Sequence, residues 1–450
     1  MTALWLKAAL LPSGWQNDVR IEMSGALISA VIVGTAARAE DERAEIGVPG
    51  LCNVHSHAFQ RGMAGLAEHR GPSDDDFWSW REVMYRFLDH LNPDDVEAIA
   101  AMAYIEMLET GYTRVGEFHY LHNDPDGKRY QDPAEMAARI IGASEATGIG
   151  MTLLPVFYAH SDFGGAPPKH GQRRFLNDLD AFARLLGACE DILPTDGILG
   201  VAPHSLRAVT GEELRELVDM RRGAPLHIHA AEQRKEVEAS LAFTGARPVE
   251  WLLANADVDR HWCLIHATHL TEAETDALAA SGAVAGLCPV TEANLGDGIF
   301  PAVPYLSAGG KIATGTDSNI LIDPAQELRA LEYSQRLSHR ARNLLASEAT
   351  PSVGRRIFEE AHAGGAQALG VTQGLAVGMP ADLVTLDANH PALYGRSGDQ
   401  LLDSWIFAAR ANCVDAVWRA GRKLVSNGQH KDREIVWRRY RAVLDRILAS

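Results

Sequence analysis

Alternating apolar and polar positions mark the first fifty residues. ALWLKAALL (3–11), DVRIEMSG (18–25) and ALISAVIVG (26–34) predict short antiparallel strands between turn signals. Val48-Pro49-Gly50 then turns the chain into LCNVHSH. From there to about residue 365, short apolar runs recur with helical patterns between them. In order they are LCNVHSHAF (51–59), TRVGEFHY (113–120), GMTLLPVFYAH (150–160), ILGVAPHSL (198–206), PLHIHAAE (225–232), HWCLIHATHL (261–270), AVAGLCPV (283–290) and KIATGTDSN (311–319). Eight strands separated by helices predict a closed parallel (β/α)8 barrel, although the same alternation also allows a doubly wound sheet. One helix is well delimited: Pro93 opens it, Asp94 and Asp95 suit its positive start, and Gly111 stops it.

Beyond residue 366 the short-strand pattern returns in GLAVGMPADLVTLD (374–387) and CVDAVWRAGRKLVSNG (413–428). Neither terminal segment alone buries a good core, so the two are expected to pair. The expected organisation is an α/β chain with a catalytic barrel over 50–365. Residues 1–49 and 366–450 form a small β-sandwich domain ending in a helix. That helix is REIVWRRYRAVLDRILAS (433–450), amphipathic and expected to cap the surface. The acidic run Asp74-Asp75-Asp76 reads as a solvated loop.

Composition narrows the class. With 450 residues, 46% hydrophobic and 22% charged, the chain is an ordinary packed protein large enough for a major domain and a smaller one. Its 42 basic and 59 acidic side chains leave a net charge of −17, which argues against a nucleic-acid partner. The five cysteines are scattered and form no C-x-x-C pair, so neither a disulfide framework nor a thiolate zinc site is expected. Lys7 and Pro12 interrupt the apolar start before a secretory core forms, and no later run is long enough to span a bilayer. A soluble cytoplasmic protein is expected, with no membrane partner.

Ionisable groups gather at the C-terminal ends of the predicted strands, where such a barrel assembles its site. His55 and His57, two apart on the first strand, point to the same side and can hold one divalent metal. His227 and His229 form a second pair on the fifth strand. His229 is the better ligand candidate, being nearer the strand end and three residues before Glu232, while His227 reads as a core histidine. His266 ends the sixth strand facing the site, and His269 begins the loop beyond it. Asp317, in TGTDSN at the eighth strand, can ligate a metal or orient a water. Taken singly, each motif has a bland explanation: a core histidine, or a turn. Their conjunction carries the weight.

In PGLCNVHSHAFQR, HIHAAE, LIHATHL and GTDSN the chain resembles the amidohydrolase superfamily of metal-dependent barrel hydrolases, and in particular its mononuclear deaminases. The resemblance covers nearly the whole chain. It implies metal ligands at His55, His57, His229 and Asp317, and proton handling by Glu232 and His266, with Asp317 assisting. Binuclear members carry a bridging lysine on the fourth strand; here ILGVAPHSL offers His204 and no lysine, so one metal is expected. Zn2+ is the expected ion, and imidazole and carboxylate ligands also suit Fe2+ or Mn2+.

The fuller pattern, HSHAFQRGMAGLAE with FWSWREVMY, VGEFHYLHN, VAPHSLRAV and HIHAAEQRKEVE, is similar to the branch that deiminates N-formimino-L-glutamate in histidine degradation. That likeness implies substrate contacts from Gln60, Arg81, Tyr120, His204 and Arg207, a small dianionic amino-acid-derived substrate, and a homodimer. Arginine binds carboxylate through two parallel hydrogen bonds, so Arg81 and Arg207 suit the two carboxylates. Arg61 is expected to point elsewhere. Two other readings stand beside it. One is a related deaminase of a purine, pterin or nucleoside-like substrate, for which Trp78, Trp80 and Phe118 would offer stacking surfaces. The other is a non-catalytic barrel, which would be expected to have lost ligands.

Overall fold

The computed structural model describes residues 2–70, 77–410 and 412–449. The acidic run Asp74-Asp75-Asp76 lies outside the described residues.

The predicted N-terminal strands form as β1 (Thr2–Leu11), β2 (Gly14–Ser24) and β3 (Leu27–Ile32), antiparallel in that order. A fourth strand, β4 (Glu42–Pro49), runs parallel to β1 on its other edge. The barrel strands follow: β5 (Leu51–Ser56), β6 (Tyr112–His119), β7 (Gly150–Phe157), β8 (Ile198–Leu199), β9 (Ala202–Pro203), β10 (Leu226–Ala230), β11 (Trp262–His266), β12 (Val284–Leu287) and β13 (Lys311–Thr314). The chain then returns to the first sheet with β14 (Leu383–Leu386), β15 (Val414–Arg419), β16 (Arg422–Ser426) and β17 (Gln429–His430).

The two terminal segments pair through β4 and β14, giving the order β17-β16-β15-β14-β4-β1-β2-β3. Alternation along β1 and β2 sends Leu4, Leu6, Val19 and Ile21 into one buried cluster with Leu383, Ala416 and Trp418 from the other terminus. Neither segment could build that cluster alone. Burying it costs no unpaired backbone, because the sheet is continuous across the junction.

The parallel strands form two hydrogen-bonded groups, β5-β6-β7-β8 and β10-β11-β12-β13, with β9 also on β7. Isolated parallel bridges Val201↔Leu226 and Ser205↔His229 join one seam, and Ser56↔Asp317 joins the other. The circuit is therefore closed with eight strand positions, the fourth being split into β8 and β9. Gly200 lies in that split; a Cβ there would stand 2.5 Å from the carbonyl oxygen of Pro225, so only glycine lets the two strands approach. Every residue of β5, β6, β7, β10, β11 and β12 is buried, as expected of parallel strands covered on both faces.

The Pro93–Thr110 helix forms as its sequence predicts. Asn92 and Asp95 exchange side-chain-to-backbone hydrogen bonds at its start, and Gly111 ends it at φ 105°. The Arg433–Ile447 helix lies along it, with Arg439 paired to Glu97 at 2.9 Å and Arg446 paired to Asp95. The helix Val353–Ala368 packs along β13 and β5 of the barrel, and the helix Asp399–Ala408 between β14 and β15 has no counterpart in the apolar pattern. Among the described residues no helix is long and apolar enough to cross a membrane.

Candidate active site

Strand β5 delivers His55 and His57 to the inside of the barrel, and the β13 seam delivers Asp317 beside them. Backbone bonds fix this register. Thr316 N–H and Asp317 N–H both donate to His55 O, at 3.1 and 2.9 Å, and His57 N–H donates to Asp317 O at 2.9 Å. Side chains reinforce it. Asn53 bonds Thr316 through both its amide atoms, and the Asn319 amide donates to Ser56 Oγ and His57 O. Thr316 and Asn319 of the TGTDSN segment thus lock its aspartate against the first strand. Asp317 itself takes a left-handed backbone, φ 46°, a conformation that costs a non-glycine residue energy and persists only when neighbours enforce it.

The imidazoles converge. His55 and His229 bring their Nε2 atoms to 3.0 Å, and Asp317 Oδ1 lies 3.5 Å from His55 Nε2 and 3.3 Å from His57 Nε2. His57 Nδ1–H donates to Phe118 O, and His229 Nδ1–H donates to His204 O, both at 2.9 Å. With Nδ1 committed as donor, each Nε2 keeps its lone pair for the centre, an arrangement typical of metal-ligating histidines. Bare imidazole nitrogens at this separation, in a site with a carboxylate, suit a shared divalent cation. The donor set fits one. Burial lowers His55 to about 3, so it stays neutral and able to ligate. Burial acts against the Asp317 carboxylate, but bonding from His55 and the neighbouring His266 and His57 hold it well below the usual range. His227, two residues from His229, instead donates Nε2–H to Ala368 O at 2.8 Å.

His266 ends β11 with Nε2 3.8 Å from Glu232 Oε1 and 3.7 Å from Asp317 Oδ2, and its Nδ1–H donates to Glu292 Oε1 at 3.2 Å. Burial alone disfavours its cation, but Glu232, Glu292 and Asp317 outweigh that and raise it to about 10. Glu232 is raised by burial to about 7, an effect the His266 charge reduces without reversing. A carboxylic acid poised near neutrality therefore stands opposite a basic histidine.

A cavity opens over this group, lined by His57, His229, Glu232, His266 and Asp317 and by Gln60, Arg81, Tyr120, His204 and Arg207. Gln60 Nε2–H donates to Tyr120 Oη at 2.7 Å, leaving its buried Oε1 without a protein partner. The two guanidiniums approach the indole of Trp78, Arg81 at 5.3 Å and Arg207 at 5.7 Å from the ring centroid. They are held near one another despite like charge, partly by these cation–π contacts. Arg61 points away, paired to Glu106 and donating to Asn319 O and Ile320 O.

Of the candidate ligands, proton-handling residues and substrate contacts, all but His55 thus lie on the cavity wall. Phe118 packs against the rings of His55, His57 and His229 and is fully buried, so it supports the imidazoles. Trp78 touches the arginines, and Trp80 lines the cavity. Residues not singled out from the sequence also join. Tyr158 and Tyr85 flank Arg81, and Glu292 grips His266. Glu292 lies in the helix Pro289–Leu295, five residues after the end of β12 at Leu287. A carboxylate there reads as surface in a short polar helix, and only the barrel's closure brings it behind His266.

Comparison with known proteins agrees with this architecture. The model of the amidohydrolase family matches residues 46–424, and that of the formimidoylglutamate deiminase HutF N-terminal domain matches residues 1–45. The chain is 49% identical to a formimidoylglutamate deiminase of Pseudomonas aeruginosa, over 100% of both chains. It is 27% identical to a 5-methylthioadenosine/S-adenosylhomocysteine deaminase of Natronomonas pharaonis, over 92% of this chain and 88% of the other. Among solved structures, an amidohydrolase from Brucella melitensis shares 52% identity and a TM-score of 0.97 over 100% of both chains. An adenosine deaminase from Xanthomonas campestris with bound zinc, at 24% identity and a TM-score of 0.81 over 100% of this chain and 99% of the other, shares the fold. The chain belongs to the amidohydrolase family.

Proposed function

We propose that this chain hydrolyses the formamidine group of N-formimino-L-glutamate to N-formyl-L-glutamate and ammonia, a step of histidine degradation. The observation that carries the reading is one cavity that joins an imidazole–carboxylate group to two guanidiniums, Arg81 and Arg207, beside Trp78. The full-length relative at 49% identity, a formimidoylglutamate deiminase, supports it.

His55, His57, His229 and Asp317 would hold one divalent cation, Zn2+ in this reading, with Fe2+ and Mn2+ also suited to the ligands. When bound, such a cation supplies the Lewis acidity that makes water a nucleophile near neutral pH. The residues of the chain do the rest. Arg81 and Arg207 each take a substrate carboxylate, which orients the formamidine carbon toward the imidazoles. Gln60, Tyr120 and His204 bound the same space, and the unpartnered Gln60 Oε1 accepts an N–H of the substrate. His266 and Asp317 orient the attacking water, and the Asp317 carboxylate takes its proton, because His266, raised to about 10, already carries its own. Glu232, in its protonated form, hydrogen-bonds the imino nitrogen and passes it a proton. The water oxygen bonds to the formamidine carbon, the proton left on Asp317 passes on to the same nitrogen, and as the carbon–nitrogen bond breaks and ammonia leaves, the hydroxyl proton released in forming the formyl C=O restores Glu232.

The same reading takes 50–365 as the catalytic barrel and 1–49 with 366–450 as the small domain. It makes the protein a cytoplasmic homodimer that takes a small dianion rather than nucleic acid or a membrane. A second reading, a purine or nucleoside deaminase, draws on Phe77 and Trp80 in the cavity wall and on the nucleoside-deaminating relatives. Ammonia release from N-formimino-L-glutamate, its aspartate analogue, adenosine and guanine separates the two. Turnover of the formimino compounds with purines at background is expected; the reverse result favours the second reading and overturns the first.

A further inference from the structure

Glu292 is buried, 5% exposed, and belongs to neither the ligand set nor the cavity wall. Its Oε1 accepts two hydrogen bonds, from His266 Nδ1–H at 3.2 Å and from the Cys288 backbone N–H at 2.8 Å. The second bond ties the carboxylate to the end of its own helix, so its position is set before His266 arrives. From the same helix, Thr291 Oγ1 donates to Thr316 O at 3.2 Å and meets Ser318 Oγ at 3.0 Å, on either side of Asp317. One short helix therefore touches both the histidine of the sixth barrel strand and the aspartate segment of the eighth.

An imidazole free to turn about its side-chain bonds can present either nitrogen. His266 also stands where the backbone is unusual: φ is 68° there and 47° at Ala267, both left-handed in non-glycine residues. The strand end alone leaves the ring orientation open, and Glu292 closes it. With Nδ1–H committed to Glu292, Nε2 is the nitrogen left facing Glu232 and Asp317. The gaps of 3.8 and 3.7 Å to those carboxylates exceed a direct hydrogen bond and leave the facing atoms available to a group between them.

We propose that Glu292 is a positioning residue for the reaction, fixing His266 so that Nε2, carrying the working lone pair or proton, faces Glu232 and Asp317. Glu292 acts through His266 and touches no substrate. The proposal rests on the assignment of N-formimino-L-glutamate to the cavity for its kinetic consequences, whereas the tautomer it predicts does not.

Two measurements on the metal-loaded, full-length protein test it. In protein labelled with 15N-histidine, the parent is expected to show a His266 Nδ1–H correlation, identified by its loss in His266→Asn. Glu292→Ala is expected to abolish or broaden that correlation. A parent lacking it, or a Glu292→Ala protein retaining it unchanged, overturns the proposal whatever the substrate. In the kinetic arm, Glu292→Ala is expected to lower kcat by roughly 10- to 100-fold with little change in KM or metal content, the usual cost of losing an orienting partner. Glu292→Gln keeps an acceptor oxygen and is expected to recover part of that loss, which also covers the case of an alanine variant that fails to fold. In the His266→Asn background the same Glu292 substitutions are expected to change kcat by less than about threefold, because the group they act through is gone. Equal losses in both backgrounds mean a structural role and overturn the proposal. If the parent is inactive on N-formimino-L-glutamate, the substrate assignment fails, and the tautomer measurement still decides the role of Glu292.

Discussion

Glu232 is raised to about 7 by burial, so near neutral pH it exists in both the form that donates and the form that accepts. Glu232→Gln keeps the shape and loses the proton; kcat is expected to fall by about 100- to 10,000-fold while metal analysis shows the cation still bound. Arg207 is 6% exposed. Arg207→Ala is expected to cost about 2–5 kcal/mol of transition-state binding, seen as a loss in kcat/KM with N-formimino-L-glutamate. Arg207→Lys, which keeps charge without the two-pronged geometry, is expected to recover only part of it. Glu117, on the strand beside His55 and His57, offers a test on a group that is not itself a ligand. It is fully buried on β6, accepts the Ala58 N–H at 2.7 Å, and burial raises it from 4.5 to about 8. Its folded value lies above its unfolded one, so the folded state holds the extra proton, and the stability this group supports is lost as pH rises from about 4.5 through 8. Glu117→Gln should therefore gain thermal stability over the parent as pH rises from 5 to 8, and a Tm difference independent of pH would contradict that.

At the scale of elements, the first and eighth barrel strands meet with no room for a side chain between them. A Cβ on Gly315 would stand 2.7 Å from His55 N and 2.8 Å from His55 O, both backbone atoms that cannot swing away. Gly315→Ala is expected to cost about 1–3 kcal/mol by overpacking, and to lower bound metal, because the same displacement moves His55 and Asp317 apart. Calorimetry and metal analysis on one preparation check both. This seam also marks how far the sequence could be read. The barrel strands were legible because apolar runs of that length have few other uses, and paired histidines at strand ends mark one face. The pairing of both termini followed from their incomplete cores. Strand β4 carries no such signal, because EDERAEIGVPG is polar through its exposed half and apolar only where it meets β14. Glu292 is unreadable for a different reason. It reaches the site from a short helix whose position depends on closure of the whole barrel, and no local period encodes it.

Across the whole molecule, the net charge of −17 is the wrong sign for drawing in a dianion. Capture must depend on the local potential at Arg81 and Arg207, next to whatever cation the imidazoles hold. A cation bound only by the folded site also stabilises the fold by mass action. Chelation is therefore expected to abolish turnover and lower Tm together, and readdition of Zn2+ to restore both; full activity after verified metal removal would contradict the role assigned to His55, His57, His229 and Asp317. The central claim is that water replaces the imino nitrogen of N-formimino-L-glutamate. Product analysis in 18O-labelled water tests it most directly: one ammonia and one N-formyl-L-glutamate per turnover, with the label in the formyl oxygen, is the expected result. Formamide and glutamate, an unlabelled formyl group, or no reaction would contradict it.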